Sequence, residues 1–189
     1  SGFAEGMQVF GVTRFGGYSS HLCVPINQLF AIPQDSKFTS DQWAAFPAVF
    51  LTAYHGLFHN IVLRPDMQIL VHSAAGGVGG ALLQLGKIAG CRMTGVVGSS
   101  HKVDTAREYG AEFIIDKSKE DLWARTEETC PQGFDVVFDG NGPATLNESY
   151  RHLAPSGKLV SYGFHSMLSV RWGLANYFKL IWQYFRVPR

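Results

Sequence analysis

Apolar residues along this chain change rhythm close to residue 66. Before it, "MQVFGVTRF" (7–15) and "GYSSHLCVPI" (17–26) are β-rich, and Gly16-Gly17 forms a hairpin-like break between two predicted strands. "LFAIP" closes this part. "TSDQWAAF" predicts a short helix with Thr39 or Ser40 as N-cap, which Pro47 is expected to interrupt. Apolar residues then fall at helical spacing through "AVFLTAYHGLFHNI", and "RPDMQ" reads as a turn.

After residue 66 the pattern is regular. Strands are predicted at 68–72, 92–97, 112–116 and 134–140, with a fifth in "GKLVSYG". Between them come helices at 78–89 and 101–109, then "SKEDLWARTEETC" and "ATLNESYRHLA". Strands alternating with helices of this length predict βαβ units. The expected fold class is therefore α/β, a Rossmann-like doubly wound parallel sheet covered on both faces. "QILVHSA" is apolar nearly throughout, as a buried central strand requires. The final stretch, "SVRWGLANYFKLIWQYFRVPR", predicts an aromatic helix with basic residues at Arg171, Lys179, Arg186 and Arg189.

Composition narrows the function classes. At 189 residues the chain can bury a real core, and 46% hydrophobic against 16% charged residues excludes a disordered chain. A formal net charge of +1 gives no electrostatic reason to expect nucleic acid as a partner. Cys23, Cys91 and Cys130 are odd in number and widely spaced, which predicts free thiols in a reducing compartment. No apolar run reaches the roughly 18 residues that span a membrane, and no signal peptide is visible. A cytoplasmic protein is the expectation. The Ser-Gly start suggests a piece of a longer protein.

The candidate chemistry lies in "ILVHSAAGGVGGALLQLGKIAG", 69–90. Gly76, Gly77 and Gly79 fall between a predicted strand and a predicted helix. Glycine lets another group approach the backbone, and a helix start offers free N–H groups and a positive dipole end to an anion. The spacing, A-A-G-G-V-G, departs from GxGxxG, so a tight turn with glycines needed only for packing is the competing reading. Strand, loop, helix and second strand all fall at dinucleotide-fold distances, which favours the phosphate loop. The second strand ends in Gly98-Ser99-Ser100-His101-Lys102, with no Asp or Glu to accept from a ribose 2′-hydroxyl. Two hydroxyls and a lysine suit a 2′-phosphate instead, so NADPH is expected over NADH.

These residues resemble a known family. "LTAYHGLF…LRPDMQILVHSAAGGVGGALLQLGKIAG" is similar to the zinc-free medium-chain dehydrogenase/reductases, the NADPH-dependent quinone oxidoreductases. "LAPSGKLVSYGFHSML" and the tail look most like the vesicle amine transport protein homologues of that branch. The resemblance implies three parts: 1–45 as the remnant of a GroES-like catalytic domain, 46–165 as the Rossmann domain, and 166–189 as an amphipathic tail helix. It also implies cofactor contacts. Thr52 would start the helix approaching the nicotinamide-side phosphate, and Ala75, Gly76, Gly77 and Val78 would form the pyrophosphate loop. Ser99, Ser100 and Lys102 would face the 2′-phosphate. Asn141, Gly142, Tyr162 and Gly163 would follow the fourth and fifth strands near the nicotinamide. One departure stands out: the family often has a tyrosine near the adenine where this chain has Lys117. Zinc-dependent relatives carry a four-cysteine loop where only Val12 to Phe15 stand here, so no metal is expected.

The implied activity is hydride transfer from NADPH to a small quinone or conjugated enone, with this chain mainly the cofactor-binding part and inactive if it lacks the rest. The catalytic residues are unknown from sequence. Ser19, Ser20 and His21 lie in a predicted strand, where neighbours alternate faces and do not converge. Tyr54 reads as core rather than substrate contact. The tail fits packing on a partner protein, or peripheral membrane contact. A homo-oligomer is expected of the full-length form. Two other functions stay open: a non-catalytic nucleotide-binding or assembly module, and the enoyl reductase domain of a larger synthase.

Overall fold

The computed structural model describes residues 2–163. The chain divides into two compact units, and the division falls between Leu51 and Thr52. The predicted tail helix, 166–189, lies outside the described residues.

In the first unit, β1 (Val9–Gly11) pairs antiparallel with β2 (Leu29–Ala31), Phe10 opposite Phe30. The strand expected over 17–26 does not form. Gly16, at φ 91°, accepts a turn bond from Ser19 N (3.0 Å), and residues 17–23 are all exposed, with no face to bury. The partner of β1 is β2 instead. Ser19, Ser20 and His21 are consequently not on a strand, and His21 Nδ1 lies 3.1 Å from Ser20 Oγ on the surface.

Helix α1 runs Ser40–Tyr54 without a break at Pro47. Thr39 caps it: Gln42 N donates to Thr39 Oγ1 and Thr39 N to Gln42 Oε1, at 3.3 and 2.9 Å. Pro47 removes one i−4 bond, but the turns around it are held by ring packing. Trp43 stacks on Phe10 at 4.7 Å, and Phe46 on Phe50 at 4.6 Å. The helix ends in a wide turn over His55–His59.

The second unit is a five-stranded, all-parallel sheet in the order β5-β4-β3-β6-β7. Its strands are β3 (Gln68–Val71), β4 (Arg92–Val97), β5 (Phe113–Asp116), β6 (Phe134–Asp139) and β7 (Leu153–Ser161). Helices α2 (Gly77–Ile88), α3 (Val103–Glu108), α4 (Leu122–Thr129) and α5 (Leu146–Arg151) connect them. This is the expected α/β Rossmann-like fold. The central β3 has Ile69, Leu70 and Val71 at 0% exposure, as its unbroken apolar run requires. Leu70, Val96, Ile115, Phe134 and Val137 form one core cluster, with Leu122 of α4 packed on it.

Two elements differ from their predicted bounds for local reasons. Helix α4 starts at Leu122 because Asp121 caps it, accepting from Trp123 N and Ala124 N. The residues before it are engaged with β5: Ser118 donates to Asp116, and Asp116 N donates to Glu120. Strand β7 starts earlier than expected because it carries a bulge. Phe134 pairs with Leu153 but Val136 with Lys158, so Ala154–Gly157 loop outward, with Ser156 at φ 66°.

Helix α2 lies close on the sheet. A methyl at Gly86 would press on the Met93 thioether. One at Gly95 would stand 2.9 Å from the Ala74 methyl.

Candidate functional site

The glycine loop is built by one strained residue. Ser73, just past β3, sits at φ 53°, a left-handed conformation rare for serine. That turns its carbonyl back to accept from Gly76 N at 2.8 Å, and a methyl at Gly79 would strike the same carbonyl. Gly79 is thus fixed by close approach of backbone. The loop is also tied to β4, Ala74 N donating to Val96 O at 2.9 Å. Helix α2 then begins with Gly76 as N-cap and no side chain capping it. Its first-turn N–H groups are available to an anion.

A cavity of about 450 Å³ opens over this helix start. Ser73 and Ala75–Gly79 form one wall; Val96, Val97, Gly98 and Lys102, at the end of β4 and beyond, form the second. Lys117 follows β5; Gly140, Asn141 and Tyr162 follow β6 and β7. Every wall comes from the carboxyl end of a parallel strand. Strand order reverses between β3 and β6, which is the crevice where doubly wound sheets bind ligands.

A buried polar network supports one side. Asp139, at 0% exposure, accepts four bonds: Asn141 N and Gly142 N at Oδ1 (2.9 and 3.0 Å), Thr145 and Ser149 hydroxyls at Oδ2 (2.7 and 2.8 Å). This pins the turn after β6, and Asn141 Oδ1 in turn accepts from Ser73 Oγ at 3.0 Å. Ser149 Oγ lies 3.0 Å from His72 Nε2. Since Ser149 gives its proton to Asp139, it accepts from His72 Nε2–H. Tyr162 O–H donates weakly to His72 O at 3.4 Å, and its ring covers Gly140. Burial, and secondarily Asp139, raise the Tyr162 phenol well above its ordinary range, so it stays protonated.

The β4–β5 side holds a second carboxylate. Asp116, at the end of β5 and opposite Val97, is buried. Ser100 Oγ donates to its Oδ2 at 2.6 Å; Ser118 Oγ and N donate to its Oδ1 at 2.6 and 3.0 Å. The Ser100 and then the Ser118 hydroxyl bonds hold this carboxyl below the usual range.

Of the residues expected at the site, Ala75, Gly76, Gly77, Val78, Lys102, Asn141 and Tyr162 meet at the cavity. Ser99 is extended at φ −167° and Ser100 is bonded to Asp116; neither lines it. Gly142 is buried at φ 82° with its N–H on Asp139, and Gly163 packs on the Gly140 carbonyl. Thr52 lies exposed in the last turn of α1, not at a helix start, so no helix N-terminus is presented there. Sequence reasoning left Asp139, Asp116, Gly98 and Ser73 out of the site. The Asp after "VVF" and the Asp after "FII" were the available signals, each a carboxylate ending an apolar strand.

Known proteins share this fold. Residues 77–184 match the family model described as zinc-binding dehydrogenase. The chain belongs to that family, the medium-chain dehydrogenase/reductases. It is 34% identical over 164 residues to the synaptic vesicle membrane protein VAT-1 homolog of Danio rerio, covering 87% of this chain and 34% of that protein. It is 33% identical over 171 residues to quinone oxidoreductase 1 of Escherichia coli K12, covering 89% of this chain and 52% of that protein. The chain therefore spans about a third to a half of the curated relatives it matches. The quinone oxidoreductase of Thermus thermophilus, solved also as a complex with NADPH, aligns with TM-score 0.77 at 26% identity, covering 95% of this chain and 56% of that one. The family description names zinc; among the described residues no three His, Cys, Asp or Glu side chains group to hold a metal ion. Nor is any described helix long and apolar enough to cross a membrane.

Proposed function

We propose that this chain is the cofactor-binding part of an oxidoreductase that passes hydride from NADPH to a quinone or conjugated enone. The observation that carries the reading is the cavity itself, where an uncapped helix start and the Lys102 ammonium stand on two walls of one crevice. The residues fit the cofactor. The Gly76–Val78 backbone would hold the pyrophosphate, Lys102 the 2′-phosphate, and Asn141 and Tyr162 the nicotinamide side. Bound NADPH would supply the hydride; the protein supplies position and a shielded face. Tyr162, kept protonated, adds no negative charge there.

The test is a titration of NADPH and NADH against the wild type and Lys102→Ala. Loss of the ammonium is expected to weaken NADPH by about 1–2 kcal/mol, the scale of one charge-assisted bond, and to leave NADH nearly unchanged. An equal loss for both cofactors would sink the 2′-phosphate assignment. Quinone-dependent NADPH oxidation by the full-length protein tests the reaction.

A further inference from the structure

Ser100 stands in the position expected of a phosphate ligand, yet its hydroxyl proton is already placed. It goes to Asp116 Oδ2 at 2.6 Å. A serine has one proton to give, so it cannot donate to a phosphate at the same time. Asp116 itself stands where a negative charge would matter. Its cross-strand partner Val97 and its chain neighbour Lys117 both line the cavity. A carboxylate free to turn there would take Lys102 or Lys117 as its partner in place of an anion. Its oxygens are instead held in place, Oδ2 by Ser100 and Oδ1 by Ser118, and the carboxylate stays ionised with its position fixed.

We propose that Ser100 is a positioning residue for cofactor selectivity: it latches the Asp116 carboxylate so that it does not turn to pair with Lys102 or Lys117, and both ammonium groups are left to a ribose 2′-phosphate. The inference rests on the reading of the cavity as an NADPH site. It differs from direct contact in what a second substitution does. If Ser100 acts through Asp116, neutralising Asp116 removes the need for Ser100. If Ser100 touches the phosphate, it does not.

The experiment is a fluorescence titration of NADPH and NADH with the wild type, Ser100→Ala, Asp116→Asn and the double variant, plus Ser100→Thr. Asn keeps the shape and accepting oxygen of Asp without its charge. Ser100→Ala is expected to weaken NADPH about tenfold, the scale of one charge-assisted contact diverted from the phosphate to Asp116, with NADH within about twofold of wild type. The double variant should return NADPH to near the wild-type value, and Ser100→Thr should retain it. A tenfold loss that persists with Asp116→Asn, or a parallel loss of NADH, overturns the latch. A wild type that binds NADH as tightly as NADPH overturns the underlying reading, and shows this before any variant is compared.

Discussion

His72 illustrates how much chemistry one buried side chain can hold. Its ring is fully buried; Nε2 bonds Ser149, and Nδ1 has no partner. A proton added at Nδ1 would be a buried donor without an acceptor. Burial accordingly lowers its pKa from 6.5 to about 4, with Asp139 opposing and Lys117 adding to the shift. The folded state thus refuses a proton that the unfolded chain accepts. The His72 contribution to stability is unchanged above pH 6.5, falls as pH drops below it, and levels off below about 4. The full loss is on the order of 3 kcal/mol. Urea denaturation at pH 7.5 and at pH 4.5 measures it, and His72→Gln should remove most of the difference. The roles of His72 and Asp139 were not legible in the sequence. A histidine after an apolar strand reads the same whether it meets solvent or a serine 77 positions away. That the glycine loop and Lys102 line one crevice was legible because each follows a strand end directly in sequence.

At the scale of elements, the legible parts were those with a strong period. All five strands of the parallel sheet form near their predicted positions, and the apolar run of the central β3 has no other stable place than a covered sheet. Failures came where tertiary contacts decided. Pro47 was expected to stop a helix, but the ring packing of Trp43, Phe46 and Phe50 carries α1 past it. Residues 17–26 have strand composition and no surface to cover. The start of α4 depends on one side chain. Asp121→Ala should strand the Trp123 and Ala124 N–H groups and cost about 1 kcal/mol, read as a lower denaturation midpoint with an unchanged slope. Asp121→Asn or Asp121→Ser should recover most of it.

Across the whole molecule, the site is a property of strand order. No single segment contains it: walls come from the ends of all five strands, and the crevice exists because the strand order reverses between β3 and β6. Sequence supplied each wall by analogy of motif, but the side-chain bonds that join the walls, such as Ser73 to Asn141 and Ser100 to Asp116, cross 68 and 16 positions. Such bonds depend on register, which the hydrophobic pattern alone does not state.

The close seating of α2 has a consequence for how this chain tolerates change. Gly79 and Gly86 lie in the same helix, and alanine is intrinsically better in both places by about 1 kcal/mol. Their neighbours differ. Gly86 faces the end of a methionine, which can swing aside, whereas Gly79 faces a backbone carbonyl fixed by the left-handed Ser73. A substitution library scored by cellular abundance should therefore accept alanine at 86 and reject every residue at 79, where overpacking costs about 3 kcal/mol. Equal tolerance at both would mean that the loop can yield. The expected asymmetry makes position 79 a historical anchor: variation can reshape the walls of the crevice, while the point where strand hands over to helix has to be inherited unchanged.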